Sequence, residues 1–481
     1  MVLTVLMPRR RRDPQATPVV HRTARITLRP TAGQRRRLFG LLVSAGDVWA
    51  CVLEANWWRR YRHAPPLAAY KDLFRELAAC EPGTFGELDS VGARSVLRRY
   101  SDAWFAAAKR CKAGDSSARF PRRKRRLVPI RWYHGTFTLD PDRRRVRLPT
   151  AVGRPPLWVR LSRDLPYPVE QIRSVTLLVD GGRLCLEVTA EVPVATYPEG
   201  RGPDPDRVAG VDLGIIHPYA VAGPDGQGLL VSGRAIRAEH HLHLRDSVAR
   251  RRGTAARVPR RGQVGSRRWR KTRRRQRVQE GRHRRRVRQA QHEAAGKVVT
   301  WAVEQRIGAL LVGDPRGVLQ LDAGRRHNRR VRTWAPARLI KILSDKATRA
   351  GITVALVDER GSSSTCPRCR RRVPKPAGRR LTCPDCGFTG HRDLSAAATI
   401  GTRIPGGGTT TPCVPAVVTH RQAGRHLPGV VSARRDPRRR PPVTAPGSVG
   451  RPPARPTTSH LAGGGESLAT QRGSTTSALP G

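Results

Sequence analysis

Four cysteines stand in two CxxC pairs, Cys366 with Cys369 and Cys383 with Cys386, separated by residues 370–382. Thiolates at that spacing match the four-sulfur tetrahedral shell of Zn2+. Pro367 and Pro384 follow the first cysteine of each pair and Gly387 follows the second pair, which suits two tight knuckles. Sulfur would fill all four positions and leave none for water, so zinc here is structural. A redox CxxC is the competing reading, and the presence of two pairs argues against it. Arg370, Arg371, Arg372, Arg379 and Arg380 in the loop suggest that this ribbon also touches phosphate.

The candidate catalytic groups are carboxylates. Asp212 sits in VAGVDLG, an otherwise apolar strand pattern, where an ionised acid is costly unless a cation or donor compensates it. Gly214 leaves room beside it. Glu359 ends the apolar run ITVALVDE just before the cysteines, and Asp393 opens the helix-like run HRDLSAAATI just after them. Taken singly, Asp393 is an acid favoured at a helix N-terminus and Glu359 an exposed strand end. Taken together, acids from a first strand, a late strand and a last helix would clamp two Mg2+ ions about 4 Å apart for in-line attack of water on a phosphodiester. No P-loop, GxSxG, HExxH or dinucleotide fingerprint stands out, so ATP-driven work and serine-hydrolase chemistry are unsupported. His217, His240, His241 and His243 lack ligand spacing and are expected at the surface or against RNA.

The acids matter more because there are so few. Lys and Arg number 93 against 36 Asp and Glu, a formal net charge of +57 over 481 residues. Such a charge repels itself unless a polyanion neutralises it, and the polyanion expected is nucleic acid. A GC-rich coding sequence would account for the excess of Arg over Lys but not for the shortage of acids. Basic stretches at Arg122, Arg123 and Lys124, and at Arg267, Arg268, Arg270, Lys271, Arg273, Arg274 and Arg275, are the expected nucleic-acid contacts. Trp49, Trp57, Trp58, Trp104, Trp132 and Tyr133, set among arginines, either stack on bases or belong to core and rim. The other five cysteines (Cys51, Cys80, Cys111, Cys185, Cys413) read as buried thiols. The apolar run at the N-terminus is too short for a signal peptide, and no stretch reaches the ~20 apolar residues of a membrane span. The expectation is a cytoplasmic, nucleoid-associated protein with no membrane partner.

The elements that must carry these residues fall in two groups. HRTARITLRP alternates as a strand, and Thr31 caps a helix that is expected to break near Gly46. Helices follow over roughly 66–80 and 90–112, then strands with turn signals from 130 to 193, including a hairpin at Asp180, Gly181 and Gly182. From 207 come three strands (207–213, 218–223, 228–232), helices over 235–250 and 278–306, a strand at 307–314, a helix at 336–351 and a strand at 352–359. The cysteine segment and the last helix complete the set. Three consecutive strands followed by alternating helices and strands is the layout of an RNase H-like α/β domain. The chain thus reads as a basic tail (1–21), a β module (22–195) with helices inserted at about 32–115, a linker (196–207), an α/β domain (208–402) interrupted by the cysteine segment (362–390), and a disordered Gly, Pro and Ser-rich tail (403–481).

At GVDLG (210–214), LLVGDPRG (310–317), the paired CxxC ribbon and HRDLSAAATI (391–400) the chain resembles the TnpB family, transposon-encoded RNA-guided nucleases related to compact type V CRISPR effectors. The resemblance implies a RuvC-like nuclease domain with an inserted zinc ribbon, and an N-terminal oligonucleotide-binding β-barrel wedge with a helical recognition insert. It implies a guide RNA from the same element, a double-stranded DNA target and Mg2+-dependent cutting, with Asp212 and Asp393 as the first and third catalytic acids. One departure bears on the second acid. Many members carry a Glu after the strand written here ALLV, where this chain has Gly313 followed by Asp314. Some carry it before the ribbon, where this chain has Glu359, and Glu359 is favoured over Asp314. The usual Asn of the last helix is Ser395. The competing functions are a nuclease-dead, RNA-guided DNA-binding repressor and a DNA strand-transferase.

Overall fold

The computed structural model describes residues 18–430 apart from 80–82, 123–124, 261–262, 316, 318–323, 325–327, 329–330, 332, 375–377 and 404–412. The chain divides into two units, Met1–Arg435 and Asp436–Gly481, and the second lies wholly outside the described residues. So do most of the basic tail, Arg123, Lys124 and Cys80.

The first sheet is antiparallel throughout. β1 (Val19–Arg29) is followed by helices α1 (Ala32–Tyr61), α2 (Tyr70–Ala78) and α3 (Ser90–Lys112), then by β2 (Ile130–Tyr133), β3 (Thr138–Asp140), β4 (Arg145–Leu148), β5 (Leu157–Leu161), β6 (Ile172–Asp180) and β7 (Arg183–Pro193). Their order is β2-β6-β7-β1-β5-β4-β3. Long β1 curls the sheet by changing partners, pairing with β7 through Thr27 and with β5 from Leu28. Among the described residues no ladder joins edge strands β2 and β3, so the expected barrel is hydrogen-bonded as an open, curled sheet. The helices supply the reason. Leu38, Leu41, Trp49, Val96, Leu97 and Tyr100 of α1 and α3 share one core with Ile130, Trp132, Val159, Val175 and Leu186 of the strands, filling the space a closed barrel would wrap around.

Thr31 begins α1 with a reciprocal cap: its hydroxyl accepts the Gln34 N–H and the Gln34 side chain accepts the Thr31 N–H. The helix does not break at Gly46. It runs on through that residue, and the glycine instead makes room for the loop at Arg125 and Arg126, whose carbonyl oxygen lies 2.5 Å from where a Cβ would stand. By length and composition α1 would be able to cross a bilayer, contrary to the sequence expectation, but Leu38, Leu41, Leu42, Ala45, Val48, Trp49 and Val52 are buried inside the fold.

The second sheet is mixed. Its elements are β8 (Asp204–Asp212), β9 (Tyr219–Ala222), β10 (Gln227–Ser232), α4 (Arg234–Ala255), α5 (Arg267–Glu304), β11 (Ile307–Asp314), α6 (Pro336–Arg349), β12 (Thr353–Asp358), the ribbon strands β13 (Arg380–Thr382) and β14 (Thr389–His391), α7 (Arg392–Gly401) and β15 (Val417–Gln422). The order is β12-β11-β8-β9-β10-β15. β8, β9 and β10 form an antiparallel meander, while β11 and β12 add in parallel on the β8 side. One core joins the sheet to α5 and α6 through Val298, Trp301, Leu339 and Leu343; α7 packs through Leu394, Ala397 and Ile400.

Two expectations need correction here. α5 starts at Arg267, eleven residues before the expected position 278, because arginine is a good helix former and the Ser266 hydroxyl caps the Trp269 N–H. The tail after 403 is also not uniformly unstructured. β15 pairs in parallel with β10 from Gln227↔Val417 to Ser232↔Gln422, and Leu427 is buried beside Ile236, Val287 and Ala290. Its alternating Val417, Thr419 and Arg421 gave a weak strand signal inside a Gly and Pro-rich segment.

Candidate metal centres

Small residues determine where the acids meet. α7 crosses β8 so closely that a Cβ on Gly210 would fall 1.9 Å from the Ala397 carbonyl oxygen and 2.4 Å from the Gly401 nitrogen. Gly210 and Asp212 share a face of β8, about 6.6 Å apart. Ala397 and Asp393 share a face of α7, one turn or about 6 Å apart. Gly401 lies toward Ala209 and Asp393 toward the other end, so the glycine contact carries Asp393 over the end of β8. Glu359, one residue beyond β12, turns back over Gly313 of neighbouring β11. The three acids therefore come from β8, the end of β12 and the first turn of α7.

Their electrostatics reflect the crowding. Burial pushes the Asp212 carboxyl up to about 8, and the charges of Asp393 and then Glu359 add to the effect against a smaller pull from Arg392 and Arg379. Although Asp212 keeps some exposed surface, atoms surround it densely and the desolvation dominates. Glu359 is pushed up to about 7 by burial and then by Asp314 and Asp358. Asp314, paired in register with Asp358, is a neighbour of Glu359 rather than one of the charges that most affect Asp212.

Asp393 behaves in the opposite way. Burial works against its ionisation, but a hydrogen bond from His217 and the Arg379 guanidinium outweigh it and hold the carboxyl below its ordinary value. Arg379 Nη1 stands 2.7 Å from both oxygens, and His217 Nδ1 lies 2.8 Å from Oδ2. The imidazole of His391, the residue preceding α7, stands edge-on to His217 with ring centres 5.3 Å apart. His217 was expected at the surface or against RNA. Its place five residues after Asp212, like that of His391 two before Asp393, is the signal that would have found both.

The four cysteines form a second centre. Their sulfurs gather within 4.8 Å of one another, and the Cys366–Cys386 and Cys369–Cys383 separations are each 3.6 Å. A tetrahedron with Zn–S bonds of 2.3 Å requires about 3.8 Å, so the donor set fits zinc. Each pair closes a knuckle: the Arg370 N–H bonds the Cys366 carbonyl and the Gly387 N–H the Cys383 carbonyl. Both turning residues have positive φ, +61° and +67°. β13 and β14 connect this centre to the acids. Arg379 immediately precedes β13, and its carbonyl accepts the Arg392 N–H at the base of α7.

The expected nucleic-acid contacts separate by exposure. Arg122, Arg267, Arg268, Arg270, Lys271, Arg274 and Arg275 are exposed, whereas Arg273 is half-buried, hydrogen-bonded to Gln276 and stacked over Trp269. Trp49 and Trp132 are core residues, while Trp57, Trp58 and Tyr61 form an exposed cluster at the end of α1. Cys51 and Cys111 are exposed on the outer faces of α1 and α3 rather than buried. His240 and His243 pack against His283 between α4 and α5, near fully buried Glu239. The clefts of about 420 and 470 Å³ flank the connector around Tyr197 and include none of the three acids.

Comparison with known proteins divides along the same lines. A model described as a probable transposase, OrfB_IS605, matches residues 187–319, and one described as a Cas12f1-like TNB domain matches residues 337–400. A Cas12f1 complex with sgRNA and target DNA superimposes with a TM-score of 0.56 at 12% identity, over 80% of this chain and 99% of that one. CasPhi-2 bound to crRNA and phosphorothioate DNA gives 0.43 at 10% identity over 82% and 92%, a likeness too low to carry an argument. No match was found among curated proteins. The transposase segment carries Asp212 and the TNB segment carries Glu359, the four cysteines and Asp393, so the likeness to TnpB-type proteins falls on the segments that hold the candidate site residues.

Proposed function

We propose that the protein is an RNA-guided DNA endonuclease that hydrolyses phosphodiester bonds with Mg2+, Asp212, Glu359 and Asp393 being its catalytic acids and Asp314 a bystander. The observation that carries this reading is the close crossing of α7 over Gly210 of β8, with Glu359 lying over Gly313 of the neighbouring strand, which brings the three acids toward one end of the sheet; the charges of Asp393 and Glu359 both act on Asp212. In domain terms, 208–402 is the RNase H-like (RuvC) nuclease domain, interrupted by the zinc ribbon at 362–390, and 22–195 is the wedge with its helical insert. The antiparallel meander β8–β10 extended by parallel β11 and β12 supports that reading.

The donor set fits a hard divalent cation. Carboxylate oxygens are the preferred ligands of Mg2+, and two of the three acids resist ionising because burial and neighbouring carboxylates outweigh the arginines nearby. When bound, Mg2+ would neutralise charge on the scissile phosphate and lower the pKa of a water. The protein's own part is to hold the three carboxylates at that place and to bring Arg379 beside Asp393. The exposed arginines of α5 give the surface on which guide RNA and target DNA are held, the partners named for the Cas12f1 structure.

The test is plasmid cleavage by protein purified with RNA from its own element. Cleavage of a matched target that requires Mg2+ and is lost in Asp212→Ala is the expected result. Protection of the target without cleavage at any Mg2+ concentration would leave a DNA-binding repressor instead, and joined products would identify a strand-transferase.

A further inference from the structure

Beside the all-oxygen acids lies a cluster of a different chemical kind. His217, His391 and Asp393 each offer a ligand atom within 4.8 Å of those of the other two. His217 is held by the turn after β8, where the Gly214 N–H bonds the His217 carbonyl, and His391 by β14, where it pairs with Arg380. Neither imidazole depends on a flexible arm for its position. Two further observations point to a cation. Nδ1 of His391 is buried with no hydrogen-bond partner, which is costly unless something occupies its lone pair or accepts its proton. A cation already neutralises the carboxylate: the Arg379 guanidinium, partly exposed at 42% of its side chain, bonds both Asp393 oxygens.

We propose that His217, His391 and Asp393 form a nitrogen-bearing site for a borderline first-row divalent ion of the Mn2+ or Zn2+ class, distinct from the oxygen-only site of Asp212 and Glu359. Imidazole nitrogen is a poor ligand for Mg2+ and a good one for Zn2+, while Mn2+ accepts both oxygen and imidazole donors, so the histidines separate this site from one that holds Mg2+. Arg379 is the occupant that such an ion displaces. Its long side chain has solvent on one side and can release Asp393 without moving the ribbon. The inference rests on the cluster's geometry and shares only Asp393 with the proposed nuclease site.

The test is Mn2+ titration of the full chain carrying one zinc per chain, the equivalent that the four-thiolate ribbon takes first, followed by electron paramagnetic resonance and by electron spin echo modulation from 14N. Mn2+ does not replace zinc in a four-thiolate shell, so the ribbon stays intact, and one retained zinc per chain reports folding of each variant. The wild-type chain should show 14N coupling from directly bound imidazole. That coupling should vanish in His217→Gln with His391→Gln and persist in Asp212→Asn with Glu359→Gln. Arg379→Ala should tighten Mn2+ by about tenfold or more, a gain that a purely structural arginine would not give. Absence of 14N coupling in the wild type, or its survival in the double histidine variant, overturns the site. Its loss in Asp212→Asn with Glu359→Gln overturns the claim that the site is distinct. Cleavage assays on the same samples report separately on the nuclease reading, which stands or falls without the 14N signal.

Discussion

The side chain of Glu359 occupies the space that a side chain on Gly313 would fill. A Cβ built on Gly313 would lie 3.0 Å from the Glu359 Cβ and 3.1 Å from its Oε2, with Ile400 Cδ1 at 2.8 Å. The strand position where the resemblance to TnpB proteins places a second acid is vacant of side chain, and an acid from the next strand reaches into it. Glu359→Ala should therefore lower cleavage by more than about 100-fold, at least the loss seen when groups supporting a bound metal are removed, while Asp314→Ala should have a much smaller effect. Gly313→Glu placed on the Glu359→Ala background should recover part of the activity. Rates from the four proteins on one plasmid target decide the matter, and equal losses for the two single variants would remove Glu359 from its assigned role.

The acids themselves make the metal-free protein sensitive to pH. Asp212 and Glu359 rise to about 8 and about 7 in the fold, against about 4 in an unfolded chain. Between pH 4 and 8 the folded state thus binds more protons than the unfolded one. Their contribution to stability is greatest below pH 4 and falls as pH rises through 8. Asp393, held below its ordinary value, acts in the opposite sense: its contribution is present above the ordinary carboxylate range and is lost only as pH falls into acid. Thermal melts of zinc-bearing protein without added Mg2+ should lose stability from pH 5 to 8.5. Added Mg2+ should restore more at pH 8 than at pH 6, because uptake must expel those protons. A melting temperature unaffected by Mg2+ at every pH would count against a cation among these acids.

Much of this site is legible in the sequence, for physical reasons. Asp212 is conspicuous because an acid in an apolar run needs a purpose, and the cysteines because their spacing has one main chemical use. What the sequence hid is tertiary. Nothing in Arg379 distinguishes it from its neighbour Arg380; only the pairing of β13 with β14 directs it to Asp393. His217 and His391 lie 174 positions apart and meet only once α7 is laid on β8. Alternation identifies the strands of the first sheet but not whether their edges close; the barrel was what the resemblance implied, and among the described residues the strand order is open. The tail expectation failed because composition averages over a segment, whereas β15 needs only six residues and an unoccupied edge at β10.

Zinc should govern the acids at a distance. The Cys366–Cys386 centre fixes β13 and β14, and through them the Arg379–Asp393 pair and the entry to α7. Cys366→Ser should thus reduce bound zinc, lower the melting temperature and abolish cleavage together. Asp393→Ala should abolish cleavage with zinc content unchanged. Zinc analysis alongside cleavage separates the two, and a zinc-free Cys366→Ser protein that cuts normally would detach the ribbon from the chemistry.

The strap after α7 offers a truncation test. Leu427 is buried on α4 and α5, and the Gly429 N–H bonds Glu239, a fully buried carboxylate also held by Arg286 and His283. A chain ending after 435 keeps all of this and should melt like the full chain. One ending after 412 loses β15 and leaves Glu239 short of a donor, and should be destabilised by more than the about 2–5 kcal/mol typical of Leu427→Ala alone. Melting curves of the three proteins check the order.

The arginines of α5 can be sorted by how binding responds to salt. Each cation that meets a phosphate adds about 0.7 to 0.9 to the slope of log affinity against log salt, the lower figure for single strands and the higher for duplex. Arg267, Arg268, Arg270, Lys271, Arg274 and Arg275 are exposed on one stretch of helix, while Arg273 is engaged with Gln276 and Trp269. Alanine at the six exposed positions should flatten the slope by up to about 5 without lowering the melting temperature, because the same helix is anchored elsewhere by Val287, Ala290 and Val298. Arg273→Ala should do the reverse, costing stability while leaving the slope nearly unchanged. Binding isotherms with copurified RNA at several salt concentrations, together with melts, distinguish the two. If the six-alanine protein keeps the wild-type slope, the phosphates are met elsewhere and the α5 surface is a solvated face.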